Sequence, residues 1–119
     1  MPRRKKLKAV RIGVFGLHRG LSFVKNMKRI KNVTLVAVCE KLDSEIERSK
    51  EFLPEGTVIC KDFEEFINIE MDAVVLANYF HEHAKYAIKA LEKRIHILSE
   101  TTAAPTLAEC VLLCRAVEK

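Results

Sequence analysis

At 119 residues, with 49% hydrophobic and 31% charged residues, the chain has the size and composition of one globular domain, which excludes a disordered or fibrous protein. No apolar run approaches the roughly 18 residues that cross a bilayer, and no apolar stretch follows the N-terminal charges as in a signal peptide. The net charge of +5 comes from Arg3, Arg4, Lys5, Lys6 and Lys8, because residues 9–119 hold 16 basic and 16 acidic residues.

The folded part is therefore neutral, and the basic tail of residues 1–8 reads as a solvated leader. With no nucleic-acid-binding motif beside it, neither nucleic acid nor membrane is an expected partner. The four cysteines, Cys39, Cys60, Cys110 and Cys114, read as reduced thiols of a cytoplasmic protein.

Residues 10–15 (Val-Arg-Ile-Gly-Val-Phe) predict a first strand, 35–39 a second, 57–60 a short third, 73–77 a fourth and 95–98 a fifth. Short, nearly continuous apolar runs of this kind fit strands buried on both faces. Helix-period segments separate them. Ser44 with Glu47, and Asp62 with Glu65, have the spacing of helix starts. Ala84, Ala87, Ile88 and Leu91 mark the inward face of a helix after the fourth strand. Leu107, Cys110, Val111, Cys114 and Val117 mark that of a last helix, which Thr106 and Glu109 open as a capping box after Pro105. Strictly alternating strands and helices with right-handed crossovers predict an α/β fold: a doubly wound parallel sheet in the order 3-2-1-4-5, in three α/β/α layers.

The first strand runs into Gly16-Leu17-His18-Arg19-Gly20. Such a turn lets the backbone approach a pyrophosphate, whose charge the following N–H groups can meet. It matches the G-x-G-x-x-G fingerprint only in part: His18 stands at the second position, Leu21 at the third, and Gly20 one place early. Glu40 ends the second strand 24 residues after Gly16, close to where an adenosine ribose finds its acidic acceptor. Turn and acid together point to a dinucleotide-binding (Rossmann) domain. A carboxylate there favours NAD over NADP, whose 2′-phosphate it repels, although Lys41 works against that preference.

Several other groups read as structural. Alternate residues of a helix point apart, so His81-Glu82-His83 predicts no metal site. Cys110 and Cys114 fall on the apolar face of their helix and read as small core residues, as do Cys39 and Cys60 at strand ends. His96, inside the fifth strand, reads as a hydrogen-bonded structural histidine.

Three further runs carry a resemblance: residues 74–84 (Val-Val-Leu-Ala-Asn-Tyr-Phe-His-Glu-His-Ala), 87–93 (Ala-Ile-Lys-Ala-Leu-Glu-Lys) and 96–100 (His-Ile-Leu-Ser-Glu). With residues 35–40 they resemble the Gfo/Idh/MocA family, the glucose–fructose oxidoreductase and inositol dehydrogenase group. The resemblance implies an NAD(P)-binding domain over residues 9–119 of an oxidoreductase that moves a hydride between a nicotinamide and a hydroxyl-bearing substrate such as a sugar or polyol. It implies that Gly16, His18, Arg19 and Gly20 line the pyrophosphate and that Glu40 and Lys41 meet the adenosine ribose. Asn78, Tyr79 and His81 would border the cofactor, Glu100 would lie near the nicotinamide ribose, and His83 would open the next helix.

Two departures stand out. The family's fifth strand ends in E-K-P, and its lysine, which assists proton transfer, is replaced by Thr101, leaving no catalytic residue in this chain. Family members also continue into a larger domain that forms the substrate pocket and often the oligomer interface, a domain this chain lacks. Two other readings stay open: a non-enzymatic dinucleotide-sensing module, and a methyltransferase-like fold binding S-adenosylmethionine, against which Ser99-Glu100 and the His83 helix argue.

Overall fold

Alternate residues of the central strands are claimed by opposite faces of one sheet. In the computed structural model, which describes residues 9–77, 82–99 and 106–119, β1 (Val10–Phe15), β2 (Val33–Cys39), β3 (Val58–Cys60), β4 (Ala73–Leu76) and β5 (His96–Ser99) are all parallel. Their order is β3-β2-β1-β4-β5, as the pattern of strands and crossovers predicts. Between them run α1 (Leu21–Met27), α2 (Asp43–Ser49, continued by a single 3-10 turn, Lys50–Phe52), α3 (Phe63–Ile67) and α4 (His83–Glu92); α5 (Leu107–Glu118) follows β5.

On one face Val14, Leu35, Val38 and Val75 pack with Leu21, Val24 and Met27 of α1 and Ile46 of α2. On the other, Phe15, Ala37, Cys39, Val74 and Leu76 meet Phe63, Phe66 and Ile67 of α3 and Tyr86, Ala87 and Ala90 of α4. The rings of Phe15, Phe63 and Tyr86 lie 4.5–4.9 Å apart, centroid to centroid, and fasten both helices to β1. Two-sided burial is why these strands read as apolar runs rather than alternations. No described helix is long and apolar enough to cross a membrane.

Three local expectations need correction. The Ser44–Glu47 pair does not start α2: the helix begins at Asp43 with Leu42 as its N-cap, and no side chain caps it. The carboxylate of Glu40 instead accepts the N–H groups of Lys41 and Leu42 at 2.9 and 3.4 Å, which sets the chain's entry into the helix. By contrast, Asp62 caps α3, accepting from the Glu64 N–H at 3.4 Å, and Thr106 caps α5, accepting from the Glu109 N–H at 3.2 Å.

The second correction concerns α5. Cys110 and Cys114 are exposed, not core, and Leu107, Val111 and Val117 are exposed with them. Glu109, Leu113 and Ala116 lie on the half-buried side instead, and Leu113 packs against the α3–α4 core. Third, His96 is exposed on the edge strand and has no described side-chain hydrogen bond; its ring adds only a minor favourable field at Asp72. In α4 the inward face is Ala84 and Ala87, as expected, joined by His83, Tyr86 and Ala90, while Ile88 and Leu91 are only half-buried.

Candidate functional site

The carboxyl ends of β1 and β2 meet at Gly16. Its N–H donates to the Cys39 carbonyl at 2.9 Å, so the turn leaves the sheet where β2 also ends. Gly16 has φ 95°, the left-handed region that side chains disfavour. Leu17 then turns inward and is fully buried, while His18 and Arg19 face out.

Gly20 is held for a different reason. A Cβ there would lie 2.0 Å from the Gly16 carbonyl oxygen and 2.6 Å from Val14 Cγ1, so only a bare α-carbon lets α1 close on β1. Sequence spacing puts Gly20 one place early in the fingerprint, yet its packing is that of the fingerprint's last glycine, which brings helix and strand into contact. A five-residue turn, Gly16 to Gly20, thus closes with one hydrogen bond, from the Gly20 N–H to the Gly16 carbonyl at 3.1 Å.

Glu40 stands immediately beside this turn. Its Oε1 accepts the Leu17 N–H at 3.1 Å, 23 residues away in sequence, and its backbone N–H donates to Cys60 O on the neighbouring strand at 2.9 Å. The carboxylate therefore joins the glycine turn, the end of β2 and the entry to α2. Lys41, next to it, is exposed, and its side chain has no partner among the described residues.

Beneath this junction the Cys39 thiol is pushed up to about 12, by burial first and then by Cys60 and the carboxylates of Asp62 and Glu40. It stays protonated and is no nucleophile.

Two residues that sequence reasoning missed complete this side. Glu45 Oε2 accepts from Arg48 Nη2 at 2.6 Å, and its Oε1 lies 3.5 Å from Nδ1 of His18, which is itself 3.5 Å from Arg48 Nη2. The first turn of α2 is thereby tied to the glycine turn. The i, i+3 spacing of Glu45 and Arg48 was visible in the sequence, but their approach to His18 is a product of the β-α-β crossover.

On the other side of β1, His83 opens α4 as expected and is fully buried. Its Nδ1 lies 2.9 Å from the Ser99 hydroxyl, a bond that joins the start of α4 to the end of β5. Ser99 was not singled out as a site residue, although its place at a strand's carboxyl end is where such folds put ligands. Asn78, Tyr79, His81, Glu100 and Thr101 lie outside the described residues. Of the expected set, then, Gly16, His18, Arg19, Gly20, Glu40 and Lys41 are gathered at one junction, and His83 lies across β1 from them.

The glycine turn, the acid beside it and the strand order together describe a nucleotide fold, and comparison with known proteins decides whose. The profile of the Gfo/Idh/MocA oxidoreductase family, NAD-binding Rossmann fold, matches residues 10–119. The chain belongs to this family.

Among its relatives is a glycosyl hydrolase family 109 protein of Shewanella putrefaciens, 29% identical over 115 residues, which are 88% of this chain and 25% of that protein. The fold is shared with scyllo-inositol dehydrogenase from Lactobacillus casei, solved with bound NAD(H) and scyllo-inositol: TM-score 0.83, 22% identity, 93% of this chain and 33% of that one. The WlbA dehydrogenase of Chromobacterium violaceum, solved with NADH and UDP-GlcNAcA, matches at TM-score 0.83 and 18% identity over 99% of this chain and 34% of that one. The chain spans about a quarter to a third of the length of these proteins.

Proposed function

We propose that the Gly16–Gly20 turn and Glu40 hold NAD(H), and that the domain serves a larger oxidoreductase acting on a hydroxyl-bearing substrate such as a sugar or polyol. The observation that carries this reading is the contact of the Glu40 carboxylate with the Leu17 N–H, which sets a ribose-reading acid against a turn that admits no Cβ at Gly20. The residues fit the group. The backbone of Gly16, His18, Arg19 and Gly20 borders the pyrophosphate; Glu40, with Lys41 beside it, accepts the adenosine ribose hydroxyls. His83, locked to Ser99, fixes the start of α4 on the nicotinamide side. Asn78, Tyr79, His81 and Glu100 belong to the same proposed site by family resemblance.

When bound, the nicotinamide supplies the hydride-exchanging carbon, and this chain supplies binding and orientation. No described residue is assigned the proton transfer, and Thr101 stands where the family's lysine is found. A substrate domain, contributed by a longer polypeptide as in the relatives, would complete the reaction.

NAD(H) is the favoured form. Two charges about 4 Å apart at an intermediate dielectric interact by roughly 4 kcal/mol, which solvent and salt reduce to about 1–2 kcal/mol at an open site. Arg48 does not reverse this, because its guanidinium is already engaged by Glu45. Calorimetric titration should therefore give NAD+ an affinity about tenfold above that of NADP+ in the parent and a much smaller ratio in Glu40→Ala. Equal affinities in the parent, or a parent preference for NADP+, would remove Glu40 from the ribose site.

A second reading rests on the relatives named as glycosyl hydrolase family 109 proteins: cleavage of a glycosidic bond, with no net oxidation or reduction. Net accumulation of NADH on a polyol by the full-length protein supports the first reading. Release of an aglycone without net NADH supports the second.

A further inference from the structure

Two cations near Glu40 already have an acid each. Lys61, which follows β3, pairs with Asp43 at the start of α2, and Arg48 pairs with Glu45 on the same helix. Of the two acids, Glu45 is the more firmly held. Its side chain is only 19% exposed, and both oxygens are engaged, Oε2 by Arg48 Nη2 at 2.6 Å and Oε1 with His18 Nδ1 at 3.5 Å. The Glu45 N–H donates to the Leu42 carbonyl at 3.1 Å, and the Leu42 N–H is one of those that Glu40 holds. His18 directly follows Leu17, whose N–H Glu40 also holds. Glu45 and Arg48 therefore stand on the rim of the proposed ribose site, where α2 meets the glycine turn.

We propose that Glu45 sets the cofactor specificity of this site: by holding Arg48, it withholds from a 2′-phosphate the cation that would receive it. The inference rests on the reading of Glu40 and the glycine turn as the dinucleotide site. In folds of this kind a nearby arginine accommodates the 2′-phosphate, through the paired N–H donors of its planar guanidinium. Arg48 offers such a fork and is half exposed, so it is placed to turn toward a phosphate on the ribose.

Glu45 makes that turn costly. Were Arg48 to swing to the phosphate, a largely buried carboxylate would lose its cation and be left near a second anion. With NAD(H) no such exchange is asked for, and the pair stays closed. Glu40 repels the 2′-phosphate directly, whereas Glu45 acts through Arg48 and is a positioning residue. The selectivity of the site is in this way shared between the end of β2 and the first turns of α2.

Calorimetric titration with NAD+ and NADP+ tests this, read as the ratio of the two affinities, because a merely structural loss weakens both together. Glu45→Ala should shift the ratio about tenfold toward NADP+, the scale of one charge-assisted hydrogen bond at a half-exposed site. Glu45→Gln, which keeps the shape of the side chain and removes its charge, should shift it in the same direction. Glu45→Ala combined with Arg48→Ala should return the ratio to within about twofold of the parent's. Glu47→Ala is the control for net charge: Glu47 lies on the same helix, is mostly exposed and pairs with Lys50, and its loss should move the ratio by less than about twofold.

A ratio unmoved in both Glu45 variants overturns the role of Glu45. So does a shift that persists in full without Arg48, or one that Glu47→Ala reproduces. A parent protein that binds neither dinucleotide overturns the site itself and this inference with it, a result distinct from a parent that selects NAD+ and is indifferent to Glu45.

Discussion

Replacing Gly20 by alanine separates collision from backbone strain. Gly20 has φ −64° and ψ −16°, ordinary helical values, so alanine would gain about 0.4–1 kcal/mol through the unfolded state if there were room. There is none: the new Cβ would sit 2.0 Å from the Gly16 oxygen, where contact distance is about 3.5 Å. Relief requires the turn to move by about 1.5 Å, enough to break the 3.1 Å bond from Gly20 to Gly16 and strain the 2.9 Å bond from Gly16 to Cys39. One lost hydrogen bond at about 1 kcal/mol and overpacking at about 1–3 kcal/mol give a loss of about 3 kcal/mol. That is a large share of the 5–15 kcal/mol typical of a domain.

Gly56 is the control. Its φ is +87°, but a Cβ would meet nothing within 4 Å, so Gly56→Ala should cost only about 1–2 kcal/mol of backbone strain. Urea unfolding of the three proteins at equal slope measures both. If Gly20→Ala proves as stable as the parent, or no worse than Gly56→Ala, the close approach of α1 to β1 is refuted. Dinucleotide affinity should fall at least tenfold in folded Gly20→Ala, since the same movement displaces the Leu17 N–H from Glu40.

At the opposite end of the sheet, the side-chain and backbone hydrogen bonds of Arg11 hold the Asp72 carboxyl down at about 2. A depressed carboxyl stabilises the fold above its unfolded pKa near 4 and loses that contribution as pH falls through about 2. The melting temperatures of the parent and Asp72→Asn should therefore differ at pH 7 and converge between about pH 4 and 2; a constant gap would exclude the pair as its source. Ser99→Ala removes the 2.9 Å bond between Ser99 and His83 and should cost about 1 kcal/mol in urea unfolding; an unchanged midpoint would show that the bond is dispensable. The 119-residue chain, supplied with NAD+ and polyols, should show no turnover, because Thr101 stands where the family's lysine is found. Hydride transfer by the purified chain would overturn that.

Much of this architecture was legible in the sequence because its cause is local. Strands buried on both faces must be short and apolar, which is why β1, β2 and β4 could be read within two residues of their ends. Glu40 could be placed because a β-α-β unit carries the end of its second strand back to the first, whatever the detail of the intervening helix.

What was hidden depends on contacts between elements. Ser44 has the spacing of a cap, but Glu40 already holds the N–H groups at the entrance to α2. His18 meets Glu45 and Arg48 only after the crossover is complete. In α5, periodicity located the apolar stripe correctly, yet it carries no information on whether anything in the same domain covers it. His96 looked enclosed because its neighbours are apolar, but β5 is an edge strand.

The central position of β1 also governs the order in which the domain can be assembled during synthesis. β1 and β2 pair as soon as both have left the ribosome, but β4, the other neighbour of β1, follows far later: Arg11 waits 61 residues for Asp72. For most of that interval Phe15 has neither Phe63 nor Tyr86 against it. At typical elongation rates the nascent chain carries an open strand edge and a bare aromatic face for several seconds. Stalling translation between β2 and β4 should therefore yield a chaperone-bound, aggregation-prone species, although the finished fold buries Phe15, Phe63 and Tyr86.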